Sequence, residues 1–242
     1  MKTITFITIT VLAGAIAGTI LGAMNQAAVE PFIERAIELE TQNTAQSGQI
    51  INPTEFAAYR LWQRGGEIAA GTVLGLSIGS LFGIVFAYAR SSVPGSNNKK
   101  KGLIVAGIMW FTLFLMPVLK YPANPPAVGD PETIYYRQTL YLAFLAISGF
   151  SALGLALLYR KMGSLRTKKA IIPAAYGAIM IGAYLAMPAN PDPLNAPMDL
   201  VIGFRITSAI TISMFWCLLG FIFGAFWDKL KPHESARISS VR

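Results

Sequence analysis

Uncharged apolar stretches of 18 to 22 residues recur along this chain at 3–24, 68–89, 102–119, 140–159, 170–187 and 206–227, with polar segments between them. A helix rises about 1.5 Å per residue, so each stretch is long enough for a hydrocarbon layer of roughly 30 Å. The pattern predicts an all-α integral membrane protein, a six-span helical bundle occupying residues 1–230. Span one reads as a retained helix and not a cleaved signal, because its apolar run exceeds a usual signal core of about 7–15 residues.

The polar segments divide the spans into three tandem helical hairpins. Asn52-Pro53, Asn124-Pro125 and Asn190-Pro191 mark three connections on one side. Pro122-Ala123-Asn124-Pro125 repeats as Pro188-Ala189-Asn190-Pro191, each after a Met-Pro, and each connection ends in Arg-x-Thr at Arg137 and Arg205. This reads as a diverged triplication of a two-helix unit. Residues 25–66 form the longest connection. Within it, 29–42 carries Pro31, early acids and an apolar side of Phe32, Ile33, Ala36 and Ile37, which predicts a short interfacial amphipathic helix. The polar stretch 41–53 is expected to be irregular. Residues 231–242 form a polar tail.

Small residues line several spans at four-residue spacing: Gly14, Gly18 and Gly22; Gly71, Gly75, Gly79 and Gly83; Ala174, Ala178, Gly182 and Ala186; Gly220 and Gly224. In lipid, helix association depends on close backbone approach, so such stripes serve packing within a subunit or an interface between subunits.

Charge adds an orientation. Of the 20 Lys and Arg, fourteen lie at Lys2, in the segments 90–101 and 160–169, and after span six. Ten of the 12 acids, with only six bases, fall in the other three connections. Basic segments stay in the cytoplasm, so both termini are expected inside. The net charge of +8 is then a topology signal and not a nucleic-acid footprint.

The chemistry on offer is narrow. The one histidine, His233, lies in the tail, and the one cysteine, Cys217, lies in span six. Neither a catalytic set nor a thiolate or imidazole metal cluster can be assembled, so an enzyme acting alone is not expected, nor a bound cofactor. Oxygen ligands remain. Asp130, Glu132, Asp192 and Asp199, with Glu67, Asn124 and Asn190, are candidates for an outer vestibule for a divalent cation. The alternative is that these acids pair with Arg64, Arg137 and Arg205 to fix the loops. Met109, Met116, Met180, Met187 and Met214 lie below; they suit soft metals but also ordinary packing. No ionisable group lies within the six stretches, which argues against a self-sufficient pump.

The second outer connection resembles a known family. Lys120-Tyr121-Pro122-Ala123-Asn124-Pro125-Pro126-Ala127, Gly129-Asp130-Pro131-Glu132, Arg137-Gln138-Thr139 and Tyr141 look like the signature of the CbtA family of proposed cobalt transporter subunits. The resemblance continues through Met187-Pro188-Ala189, Asn195-Ala196-Pro197, Asp199-Leu200 and Phe204-Arg205, and back to an acidic helix at 31–40. It covers nearly the whole chain; the insert at 41–53 departs most. The resemblance implies a cytoplasmic-membrane subunit for uptake of cobalt, or nickel, in support of cobalamin synthesis, with Co2+ as cargo. It also implies a small single-span CbtB-like partner with a histidine-rich end. It carries over no metal ligands and no energy source. Two rival readings are a structural accessory subunit of a larger membrane complex and a carrier of lipophilic molecules.

Overall fold

A computed structural model describes residues 2–46, 52–126, 128–163, 167–192 and 194–233. Residues 47–51 of the first connection, Ala127 of the loop motif, Arg166, Arg237 and Arg242 of the basic set, and the tail from 234 lie outside them. The described residues are mostly helical and contain no strand. Six helical stretches are long and apolar enough to cross a membrane. The helices are α1 (Thr3–Ala28), α2 (Glu30–Gln46), α3 (Pro53–Ala89), α4 (Asn98–Trp110), α5 (Met116–Lys120), α6 (Ile134–Lys161), α7 (Lys168–Ala186) and α8 (Met198–Leu230). A π-helical turn, Phe111–Leu115, joins α4 to α5, and a 3-10 turn, Pro131–Thr133, precedes α6.

The first connection is more helical than its polarity suggests. α2 follows α1 almost directly, with Pro31 just inside it. It extends to Gln46, so residues 41–46 of the stretch expected to be irregular are helix. α3 begins fifteen residues before the apolar run that signals it. Its start is local chemistry: the Asn52 side chain accepts from the amides of Thr54 (3.1 Å) and Glu55 (3.5 Å), and Pro53 takes the first helical position. The Asn-Pro pair here opens a helix; at 124–125 and 190–191 it lies in irregular chain.

The chain divides into two compact units, Met1–Ile108 with Ile202–Arg242, and Met109–Val201. In the first, α1 and α3 meet backbone to backbone. A Cβ added at Gly75 would lie 2.5 Å from the Gly18 Cα, and one at Gly79 would lie 2.8 Å from the Gly14 Cα. The two glycine stripes are therefore one seam within this chain, with Thr19 and Thr72 sharing a 2.8 Å hydroxyl bond beside it. A second close approach joins α4 to α8, where a Cβ at Gly220 would lie 2.7 Å from the Gly102 carbonyl oxygen and from the Ala106 Cβ. Asp228 closes this contact at its end: its carboxylate accepts from the Asn98 amide (3.1 Å), the Asn98 side chain (2.7 Å) and the Lys99 amide (3.3 Å). Phe82, Phe86, Phe223 and Trp227 fill the space between helix ends, with Arg90 over the Trp227 ring at 5.3 Å.

In the second unit α7 packs on α6, and the π-turn and α5 pack on α6 as well. The core is built of side chains: Tyr121, Leu140, Phe144 and Met180, with Met116, Ile147, Tyr176 and Met187 against them. The small-residue stripe of α7 does not take part, although Ala183 beside it does. Ala174, Ala178, Gly182 and Ala186 are all exposed.

Candidate functional site

Lys120, Tyr121, Asp130, Arg137 and Asp192, singled out by sequence, lie together in the second unit, where the connections after α5 and after α7 are tied together, whereas Arg64, Glu67 and Arg205 belong to the first. Asp130 opens the 3-10 turn, its carboxylate accepting from the Glu132 amide at 2.9 Å. Asp192 reaches across from the other connection. One of its oxygens accepts from the Asp130 amide (2.9 Å) and the Thr133 hydroxyl (2.7 Å) and pairs with Arg137 Nε (2.9 Å). The Asp192 side chain is 5% exposed, so its charge is neutralised by Arg137 and satisfied by neutral donors, as a buried carboxylate requires. Arg137 also donates to the carbonyls of Asp130 (3.0 Å) and Val128 (3.4 Å). Its guanidinium thus holds the loop backbone and the neighbouring connection at once.

Gly129 makes this geometry possible and was not singled out by sequence. Its φ of +99° lies where side chains are strained, and a Cβ would sit 2.6 Å from Asp192 Oδ2 and 2.8 Å from Arg137 Nη1. The only signal was its position just before Asp130 in the motif.

Lys120 and Tyr121, the last residues before the loop, bind the C-terminal end of α7. Lys120 Nζ donates to the Tyr184 carbonyl (2.8 Å) and lies 4.4 Å from the Tyr184 ring centroid. The Tyr121 hydroxyl donates to the Pro188 carbonyl at 2.7 Å, with its ring edge-on to Phe144. Burial, with Tyr136 adding to it, pushes the Tyr121 phenol above its ordinary range. Asn190 turns its own connection by accepting from the Asp192 amide at 3.1 Å. Pro125 is buried.

The four candidate metal residues do not share one role. Asp130 and Glu132 are exposed and adjacent; Asp192 is committed to Arg137; Asp199 is exposed in the first turn of α8. Among the described residues, no group of three or more His, Cys, Asp or Glu side chains is placed to hold a metal ion.

The first unit has its own charged cluster. Glu30 accepts from Arg60 (2.6 Å) and Arg64 (3.0 Å), and Arg64 also pairs with Glu34. Asn25 Oδ1 and Glu67 Oε2 are buried there on α1 and α3. Arg64 therefore serves as a loop fastener, as Arg137 does.

No curated protein and no solved structure matches the chain. Its sequence does match a family described as a probable cobalt transporter subunit, CbtA, over residues 3–228. That span takes in five membrane helices whole, the sixth but for its last two residues, and both fastened connections. The chain is a multi-pass membrane protein and belongs to the CbtA family of probable cobalt transporter subunits.

Proposed function

We propose that this protein is the membrane-embedded subunit of a cobalt, or alternatively nickel, uptake system serving cobalamin synthesis, seated in the cytoplasmic membrane with both termini inside. The observation that carries this reading is the family match together with the loop that bears its motif. Binding residues are disproportionately on loops held by a rigid scaffold, and here the Arg137–Asp192 pair holds the loop with Asp130 and Glu132 turned to solvent.

In this reading the exposed carboxylates Asp130, Glu132 and Asp199 attract the hydrated divalent cation and raise its local concentration. Asp192 serves by holding the loop. Stripping water from the ion falls to another subunit. A small single-span partner with a histidine-rich end would supply the imidazoles that this chain lacks outside His233.

The test is uptake of cobalt-57 at nanomolar metal in cells lacking the chain, with and without its return. Restoration of uptake is expected. Asp130→Asn and Asp199→Asn together, which keep hydrogen-bonding capacity, should slow uptake roughly tenfold at low ionic strength and less at high salt, with the protein level unchanged. Uptake equal to the parent's at both salt concentrations removes the carboxylates from the mechanism. No restoration by the intact, inserted chain favours an accessory role in a larger complex.

A further inference from the structure

Pro117 has no amide hydrogen, so somewhere before it a carbonyl must find a donor outside the helix. Which carbonyl depends on the local winding. In an α-helical register it is four residues back, at Leu113; in a π-helical register it is five back, at Thr112. The structure has the π form: the Met116 amide bonds the Phe111 carbonyl. The amides that would reach back to Thr112 from four and five residues on are therefore, respectively, committed elsewhere and absent. Ser148 of α6 takes their place. Its hydroxyl donates to the Thr112 carbonyl, and its oxygen shares a 2.7 Å bond with the Tyr176 hydroxyl of α7. Ser148 is 0% exposed, and in an apolar bundle a carbonyl has no water to turn to.

Rewinding to α would return an amide to the Thr112 carbonyl and leave that of Leu113 without one, so the Ser148–Tyr176 pair, which serves Thr112, favours the π form. We propose that Phe111–Leu115 is a two-register switch, held in its π form by Ser148 and Tyr176, whose rewinding to α turns the outer end of the helix. Removing the extra residue from the turn rotates everything beyond it by about 100°. Lys120 and Tyr121 lie five to six residues past the turn and hold α7 and its connection through the Tyr184 and Pro188 carbonyls. Rotation breaks both bonds and frees the loop that presents Asp130 and Glu132. The inference rests on hydrogen bonding within Met109–Val201 and is independent of the cargo.

The test is a bridging measurement in a C217S background, which removes the single cysteine. Cysteines at 120 and 184 are linked in the intact protein by a short bis-maleimide, and a Thr19→Cys, Thr72→Cys pair reports the glycine seam as a control. The cysteine pair is the same in every background, so the comparison isolates the switch. S148A should lower bridging about tenfold, Y176F less, and S148T, which keeps the hydroxyl, should leave it near the parent's, with the control pair unchanged.

P117A decides the matter. It restores the missing amide and lets an α-helix form with every carbonyl served, so bridging should fall although Ser148 is intact. A merely structural fastener predicts the opposite, because a helix that serves its own carbonyls keeps its place. Parent-level bridging in P117A overturns the switch whatever S148A does, and it settles the question even where S148A does not accumulate.

Discussion

The unit made of Met1–Ile108 and Ile202–Arg242 is joined by taking side chains away; the unit Met109–Val201 is joined by placing them. In the first, α1 and α3 approach until glycine backbones touch, and polar side chains enter the contact only beside the glycines, Thr19 with Thr72, Thr10 against Gly83 and Gln26 on the Arg64 carbonyl among them. In the second, α6 and α7 close on aromatic and methionine side chains, and hydroxyls answer a carbonyl that proline leaves. A backbone seam depends on many atoms in van der Waals contact and has no slack. Hydrogen bonds between helices can be exchanged one for another, so a unit built on them can have more than one arrangement. The loop motif that resembles the family's signature belongs to the second kind.

The sharpest way to break that comparison is to put a side chain into the seam. Gly75→Leu would force backbone from backbone along α1 and α3, a cost of at least about 3 kcal/mol. The expected result is loss of monodisperse protein in detergent. Gly182→Leu is the matched control: a Cβ there meets nothing within 4 Å, and the variant should accumulate like the parent. Equal tolerance of both would mean that the seam is not what holds the first unit. Four-residue small-residue spacing is the same at both places in sequence, and only the structure separates a stripe that is packed from one that is exposed.

Next in size is the loop fastener. Arg137→Ala leaves the Asp192 carboxylate buried without its cation. Breaking a fully buried pair costs about 3–5 kcal/mol, and the partial exposure of Arg137 reduces this to about 2 kcal/mol. Gly129→Ala attacks the same contact through backbone strain and a clash, and about 2 kcal/mol is expected again. Both should speed proteolysis within 122–133 while leaving the α1–α3 seam intact. Proteolysis at the parent's rate in both variants would show that the loop is held by something other than this pair. Failure of the whole chain would show that the two units are not separable in stability.

These residues also mark how far sequence could be read. The six spans were legible because apolar length has one dominant meaning in a chain with so few charges, and the loop motif because proline, glycine and acids are dense there. The last residues of α2, 43–46, and the early part of α3 were not, since polar composition was read as irregular chain although Asn52 and Pro53 are a helix start. Asp192 had two readings in sequence, a cation ligand or an arginine's partner that fixes the loops. A carboxylate in a polar connection looks like a ligand, and only its distance to Arg137, 55 residues away in the chain, shows what it does. Ser148 gave no signal at all. A serine in an apolar span becomes meaningful only when the carbonyl opposite it is known, and that follows from Pro117 on another helix.

Asp228 gives the smallest effect and the finest test of how the first unit ends. It is one of two acids outside the three acidic connections, the other being Glu234, and it lies among bases, where a simple charge count would class it as incidental. Its carboxylate instead caps α4 from α8, adding charge at the positive end of the helix dipole to three hydrogen bonds. Asp228→Asn keeps one acceptor and loses the charge, so about 0.5 kcal/mol is expected; Asp228→Ala loses both, about 1 kcal/mol. The ordering parent, Asn, Ala in thermal melting would place the cap among the ordinary helix-end contributions. A loss for Asn as large as for Ala would mean that the charge, acting with Arg90 and Lys99 nearby, outweighs the geometry of the cap, and raising the salt concentration should then bring the parent's melting temperature down toward that of both variants.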